Sequence, residues 1–445
     1  MKTLTFKKGL HPDDHKQHTA NCPIEELAAS QIMVYPLSQH IGAPCSPIVS
    51  VGERVLVCQK IADSDAFVSA PVHSSVSGTV KAIEPRLHPN GREVMSIVVE
   101  NDFLYEYSPE IYERHDTDSL TKEEMLAIIR EAGLVGLGGA AFPTHIKLNP
   151  SPDKNIDLLI INGAECEPYL TSDYRVMIET PILVFKGIEM IKKILGITKC
   201  VIGIENNKPR AISSMQEIAK SYPGTEVAVL KTKYPQGSEK HLIKAITGRE
   251  VPSGKLPADV GVVVNNIDSC TAVYNAIKFR KSVTSRIVTV SGSAIGRPCN
   301  LRVRTGTSFK DVLTYAKCDF ESVKKIIMGG PMMGMSQYST DVPTIKATSA
   351  ILAFTEIETK SKDTVNCVKC GDCVNKCPMN LVPALLNTYA KANDFDMLNK
   401  LNIMDCIECG ICTYTCQCRN TITQNIKIAK ARIRENAAKQ RQEGK

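Results

Sequence analysis

Two cysteine runs near the C-terminus share one spacing, and no other feature constrains the chain as strongly. The first is Cys367-x2-Cys370-x2-Cys373-x3-Cys377, followed by Pro378; the second is Cys406-x2-Cys409-x2-Cys412-x3-Cys416. Three thiolates this close together can hold three iron corners of one cubane, while the fourth reaches across to the neighbouring cluster. The spacing therefore predicts two [4Fe–4S] clusters. One takes Cys367, Cys370, Cys373 and Cys416; the other takes Cys406, Cys409, Cys412 and Cys377. Gly371 and Gly410 occupy equivalent places, where a tight turn can point N–H groups at sulfide. Structural zinc is the competing chemistry, but it pairs distant C-x2-C knuckles and needs only four thiolates. Gln417 follows the second run where the doubled pattern would have proline, and Cys418 lies two positions beyond a ligand, yet Cys416 keeps the spacing. The intervening VPALLNTYAKANDFDMLNKLN reads as helix, which predicts a helical ferredoxin module. A chain built this way moves single electrons.

Composition narrows the setting. Of 17 cysteines, nine lie outside the two runs (Cys22, Cys45, Cys58, Cys166, Cys200, Cys270, Cys299, Cys318 and Cys418), without repeated spacing, and most read as small core residues. A length of 445 residues is enough for about three domains. No apolar run reaches the roughly 18 residues of a membrane span, and the polar start MKTLTFKKGLHPDD lacks the apolar region of a signal peptide. The chain is thus expected on the cytoplasmic side, with no span of its own. Of the net charge of +7, the segment from Arg419 to Lys445 supplies +6. Without interleaved aromatics this does not predict nucleic-acid binding. Two readings of the tail remain: a solvated helix end, or contact with an acidic partner or anionic membrane surface.

Residues 1 to about 115 are β-rich, with VGERVLVCQKIA, APVHSSVSGTVKAIEP and REVMSIVVE as strand-bearing runs. Thr121 opens a helix with capping-box spacing to Glu124. From about 120 to 282, the apolar runs DLLIIN, CVIGIE, TEVAVLK and GVVVNN alternate with segments of helical period, which implies a mostly parallel sheet covered by helices. A smaller unit follows from 284 to about 340. A polar linker, EIETKSKDTVN, then leads into the cysteine region at about 360–445. The fold class is α/β and multidomain.

GLVGLGGAAFPTHIK brings four glycines into seven residues (Gly133, Gly136, Gly138, Gly139), and Gly136, Gly138 and Ala141 satisfy G-x-G-x-x-A. A helix precedes this loop where the dinucleotide fingerprint needs a strand. Two readings stay open, a plain flexible loop or bare backbone approaching phosphate and a flat ring, with Lys147 as counter-charge. In INGAECEPYLTSD, Glu165 and Glu167 follow a strand, and Asn265 and Asn266 end a later one. All four fall on the sheet edge where open α/β sheets bind ligands. Turn-forming Asn and solvated Glu are the alternative.

With GLGGAAFPTHIK, NGAECEP, VVNN and the double cysteine run in one order, the chain resembles the C subunit of the Rnf complex, an ion-translocating ferredoxin:NAD oxidoreductase of prokaryotic membranes. TFKKGLHP, APVHSSVSGTV, YPQGSEKHLI and IIMGGPMMGM carry the likeness from end to end. The central region is similar to the NADH-binding flavoprotein subunit of respiratory complex I. The resemblance implies an N-terminal barrel-sandwich hybrid, a Rossmann-like flavin/NADH domain, a ubiquitin-like SLBB unit and the ferredoxin module. It implies FMN phosphate near Gly136, Gly138, Gly139 and Lys147. Ring or ribityl contacts fall at Asn162, Glu165, Asn265 and Asn266, with Glu167 nearby. Where the complex I family has an Asp-Glu pair, this chain reads Gly163-Ala164-Glu165-Cys166.

The implied activity is electron exchange between NAD(H) and ferredoxin through FMN and two clusters, with no protein side chain as acid or base. The implied partners are NADH, the other subunits of the membrane complex and, through them, ferredoxin. The implied location is peripheral, on the cytoplasmic face of the inner membrane. A soluble cobalamin reductase is one alternative, opposed by the N-terminal hundred residues. A non-catalytic relay or docking subunit is the other, opposed by the intact glycine loop.

Overall fold

The computed structural model describes residues 3–359 and 363–443, the side chains of 441–443 excepted. Lys360, Ser361 and Lys362 of the polar linker, and the tail's side chains from Arg441 onward, lie outside the described residues.

Each of the four apolar runs of the central region forms a strand, and their order in space is Thr225–Leu230, Cys200–Glu205, Leu158–Gly163, Val262–Asn266, all parallel. Side chains alternate across such a strand. Leu159 and Ile161 pack into one core with residues of the helices Pro181–Leu195 and Ile267–Phe279. Ile160 packs into another with Leu242 and Ile243 of Glu239–Thr247. Leu158–Gly163 and Val262–Asn266 are direct neighbours with Asn162 opposite Asn266, so two of the predicted polar strand ends share one edge of the sheet.

Residues 32–101 make two small antiparallel sheets around a shared core that includes Met33, Tyr35, Ile61 and Ile97. Further along, Ser285–Ser291, Cys299–Arg304, Lys325–Met328, Met335–Gln337 and Ala350–Phe354 build a larger sheet, covered by the helix Phe309–Tyr315. Its sixth strand, at one edge, comes from the start of the chain: Ile24–Glu26 runs parallel to Cys299–Arg304. The residues before it are a strap. Leu4 bridges Leu230 at the edge of the parallel sheet, Leu10 bridges Tyr234, and the Gly9 amide donates to Lys376 O at 3.2 Å in the cysteine module. In that module, helices Pro383–Ala392, Phe395–Lys400 and Ile422–Glu443 pack through Leu386, Leu398, Ile422 and Ile426. Asn393, at φ +55°, separates the first two where the sequence pattern reads as continuous helix.

Two buried cations fasten the units at the glycine loop. Arg286 donates to Asp268 and to Leu137 O, both at 2.7 Å. Lys346 donates to Pro71 O at 2.6 Å and Gly133 O at 2.7 Å, and burial pushes its ammonium down to about 8. Breaking a buried ion pair from one side strands a charge and costs about 3–5 kcal/mol, against about 0–1 for an exposed pair. Arg286→Ala should therefore lower unfolding stability in urea by about 3–5 kcal/mol. Arg302→Ala, which breaks the exposed pair with Glu26, should change it by about 1 kcal/mol or less.

Candidate functional site

The glycine loop begins where the helix Lys122–Glu131 ends. That helix is started by a full capping box: Thr121 Oγ1 accepts from the Glu124 amide at 3.2 Å, and Glu124 accepts from the Thr121 amide at 2.7 Å. The loop then folds on itself, the Gly136 amide donating to Phe142 O at 2.8 Å, and is tied to the helix at 267–279 by Leu137 N to Ser269 Oγ at 3.0 Å. A Cβ on Gly138 would stand 3.3 Å from Asn266 Cβ, so glycine permits this close approach. Gly139, at φ +104°, faces open space and could present its backbone to a ligand. Gly136 would meet nothing closer than 3.7 Å and makes no such demand. Lys147, on the short helix Thr144–Lys147, is ion-paired with Glu239.

At the sheet edge, Asn162 donates to Gly237 O at 2.8 Å and accepts from the Ala164 amide at 3.1 Å. Asn266 caps the helix that follows it, accepting from Asp268 and Ser269 amides, and its Nδ2 donates to Asp173 at 2.7 Å. Glu165, at φ +47°, turns inward and accepts from the amides of Asp173 and Tyr174, where it begins the helix Ser172–Glu179. Burial raises the carboxyls of both Glu165 and Asp173 above the usual range; the Glu165 carboxylate raises Asp173 further, while Lys16 and Lys208 pull Glu165 back down. Glu167 points away from this edge. It accepts from the Met332 and Met333 amides, each at 3.0 Å, and stands 3.5 Å from Tyr234 Oη. Burial pushes it up to about 7.

The site also contains residues that the sequence patterns did not single out. Asp173 holds Asn266, Gly237 holds Asn162, and Glu239 holds Lys147. The segment 236–239 bore a readable signal, a Gln-Gly-Ser-Glu stretch opening a helix just after a strand.

Two observations test the fit of a planar, hydrogen-bonding cofactor. Among the described residues, Asn265 Nδ2 is buried at the sheet edge without a partner, and both polar atoms of the fully buried Gln236 carboxamide are likewise unpartnered. Buried polar groups are rarely left so, and a bound ligand that both donates and accepts would satisfy them. With the open backbone at Gly139, the residues fit FMN.

No disulfide joins any of the 17 cysteines. Cys377, Cys406, Cys409 and Cys412 line one cavity whose walls are mostly apolar, among them Leu381, Leu386, Ile411 and Ile426. Burial raises Cys412 to about 11 and Cys409 to about 12, and in both cases the neighbouring sulfurs, Cys377 among them, add to the rise. Cys373 is raised by burial first and then by Cys370, Cys367 and Cys416. The fold thus gathers Cys377 with the second run and Cys416 with the first. Gly371 and Gly410 sit at φ +83° and +80°, each opening a short helix through its run. Among the described residues, no three His, Cys, Asp or Glu side chains stand close enough together to hold a metal ion as they are placed.

The two thiol sets differ in position. Cys409 and Ile411 share an apolar cluster with Leu10 and Tyr234, joined by Cys166 and Met332, so the second set abuts the carboxylate loop. Cys367 and Cys370 are exposed.

Comparison with known proteins agrees with this layout. Residues 4–104 match the RnfC barrel sandwich hybrid domain, and residues 129–275 match the Nuo51 FMN-binding domain. The C subunit of the proton-translocating ferredoxin:NAD(+) oxidoreductase complex of Clostridium ljungdahlii is 46% identical over 99% of this chain and 96% of its own length. The chain belongs to the family of C subunits of ion-translocating ferredoxin:NAD(+) oxidoreductase complexes. A second member, from the Na(+)-translocating complex of Acetobacterium woodii, is 42% identical over 97% of this chain and 98% of its own. The NAD+-reducing [NiFe]-hydrogenase in the H2-reduced state shares the fold over 74% of this chain and 68% of its own, at 19% identity and a TM-score of 0.50. These near-full-length family matches leave the cobalamin-reductase alternative without support. Among the described residues, no helix is long and apolar enough to cross a membrane.

The state of Glu167 gives a pH prediction. Its folded value of about 7 lies above an ordinary carboxyl, so the native state holds this proton more tightly than the unfolded chain. Wild-type stability should therefore fall relative to Glu167→Gln as pH rises from about 4.5 to about 7, and then level off. The difference should amount to roughly 3 kcal/mol. Urea denaturation of both proteins at pH 5 and pH 8 measures it; a difference independent of pH would show that Glu167 is ionised throughout.

Proposed function

We propose that this chain is the electron-exchanging subunit of an ion-translocating complex, passing electrons between NAD(H) and ferredoxin by way of FMN and two [4Fe–4S] clusters. FMN converts between hydride pairs and single electrons, and the clusters carry the single electrons. One observation carries the reading: a largely buried four-thiol set packs against the same loop whose Glu165 lies beside a glycine-lined sheet edge with unsatisfied donors.

In this reading Gly136, Gly138, Gly139 and Lys147 hold the FMN phosphate, and Glu239 releases Lys147 to it. Asn162, Asn265 and Asn266 present donors and acceptors to the ring and ribityl chain, and Glu165 shapes the loop beneath them. Glu167 belongs to the same loop but serves the cysteine side. Cys406, Cys409, Cys412 and Cys377 hold the cluster nearer the flavin; Cys367, Cys370, Cys373 and Cys416 hold the outer one, toward other subunits. The chain divides at about 1–115, 120–282, 284–340 and 360–445, the third unit being SLBB-like and completed by the strands Ile24–Glu26 and Ala350–Phe354, and the last a helical ferredoxin module. The protein sits peripherally on the cytoplasmic face of the membrane.

Anaerobic purification tests this directly. The expected content is about eight iron and eight acid-labile sulfides per chain, with FMN that NADH bleaches. Four iron, or zinc in their place, would sink the two-cluster assignment; failure to retain or rebind FMN would favour a docking role. Lys147→Ala should weaken FMN binding roughly tenfold, the loss of about 1.4 kcal/mol from one charge-assisted contact, while iron content stays unchanged.

A further inference from the structure

Tyr234 and the segment around Met332 belong to neither ligand set, yet they form the joint between the two sites. Tyr234 is 1% exposed. Its backbone is fixed by paired bonds with Leu10, at 3.0 and 2.8 Å, and its phenol donates to Cys409 O at 2.8 Å. On the other side of Cys409, a Cβ on Gly410 would lie only 2.6 Å from Met332 O, so the Met332 peptide presses directly on the cysteine loop. Glu167 holds that peptide in place through the Met332 and Met333 amides. Gly330 makes room for it, since a Cβ there would stand 2.2 Å from Glu167 Oε2. The Cys409–Gly410 segment is therefore gripped from two directions, and both grips lead back to one carboxylate loop. Glu165 in the same loop accepts from the Asp173 amide, and the Asp173 carboxyl holds Asn266 at the sheet edge. Polar contacts and two residues of backbone thus connect Asn266 with the peptide of a cysteine ligand.

We propose that Tyr234 and Glu167 are positioning residues: together they clamp the Cys409–Gly410 turn against the carboxylate loop, fixing the inner cluster's place and surroundings relative to the flavin edge. This rests on the reading above that Cys406, Cys409, Cys412 and Cys377 hold a cluster. The outer set has no counterpart among the described residues. Its module meets the strap through Gly9 N to Lys376 O at 3.2 Å and Lys8 Nζ to Val374 O at 3.3 Å, and Cys367 and Cys370 stay exposed. Cluster potentials respond to hydrogen bonding and solvent access around the ligands. Loss of the clamp should therefore be felt by one cluster and not by the other.

The test uses the full chain reconstituted anaerobically with iron, sulfide and FMN, as wild type, Tyr234→Phe and Glu167→Gln. Iron and FMN content should be unchanged in both variants. Amide hydrogen exchange at 408–411 should quicken roughly three- to tenfold in Tyr234→Phe, as expected when one buried hydrogen bond is removed, while exchange at 372–376 stays the same. In redox titrations followed by EPR, one cluster should shift in signal and midpoint potential and the other should not. Glu167→Gln should shift the same cluster. Unchanged exchange with both signals as in wild type would overturn the proposal. So would equal shifts of both clusters or iron loss from both, which mark a general structural role. If the wild type takes up no iron at the second run, the functional reading fails, and hydrogen exchange on the cluster-free chain still decides whether the clamp exists.

Discussion

The Lys16 ammonium, buried where the N-terminal strap crosses the parallel sheet, donates to the carbonyls of Glu167 at 2.9 Å and Leu170 at 2.5 Å. Burial lowers its affinity for its proton, while the Glu165 carboxylate works in the opposite direction. An isolated buried charge would cost several kcal/mol, so the cation is viable only where carbonyls and carboxylates surround it. In return it fixes a loop that has no regular structure of its own. The cap by Glu165, the bracket by Glu167 and the contact with the cysteine module all depend on that loop keeping one shape.

From this pinned loop the two sites take opposite characters. The sheet edge retains unsatisfied donors and an open glycine backbone, the marks of a place that accepts a ligand. The side facing the cysteines is closed, with Glu167, Tyr234 and Met332 mutually satisfied. Burial then grades the thiols: those beside the loop lie in an apolar cavity, and the first two of the chain's double run lie at the surface. The two cysteine runs thus differ in depth, the second set reaching the interior and the first opening at the surface.

What the sequence disclosed follows the same physics. The close spacing of the thiols was legible directly, and so was the nearness of Cys377 to the second run, with which it lines one cavity. Strand and helix periodicity exposed the parallel sheet, and with it the edge bearing Asn162, Asn265 and Asn266. Lys16, Lys346 and Arg286 were not legible, because a buried cation is ordinary in sequence and acquires its meaning only from carbonyls far away in the chain. Glu167 was legible as a carboxylate in the right loop, but its direction was not. Its orientation is set by Gly330 and by amides at 332 and 333, which no local pattern links to it. Asp173 and Glu239 were missed for a similar reason, each acting through a partner on another element.

The strand Ile24–Glu26 closes the edge of a sheet whose other members begin at Ser285. During synthesis it must wait, unpaired, until more than half the chain has left the ribosome, a delay of about ten seconds or more at usual elongation rates. Its short length and the two glutamates among its three residues suit that wait, since a charged and brief edge is a poor template for pairing with other chains. The strap's own partners, at Glu167, Leu170, Leu230 and Tyr234, all emerge earlier than this strand's. The beginning of the chain is thus held at two places whose partners are made far apart in time, the strap on the parallel sheet and the edge strand on a sheet completed later.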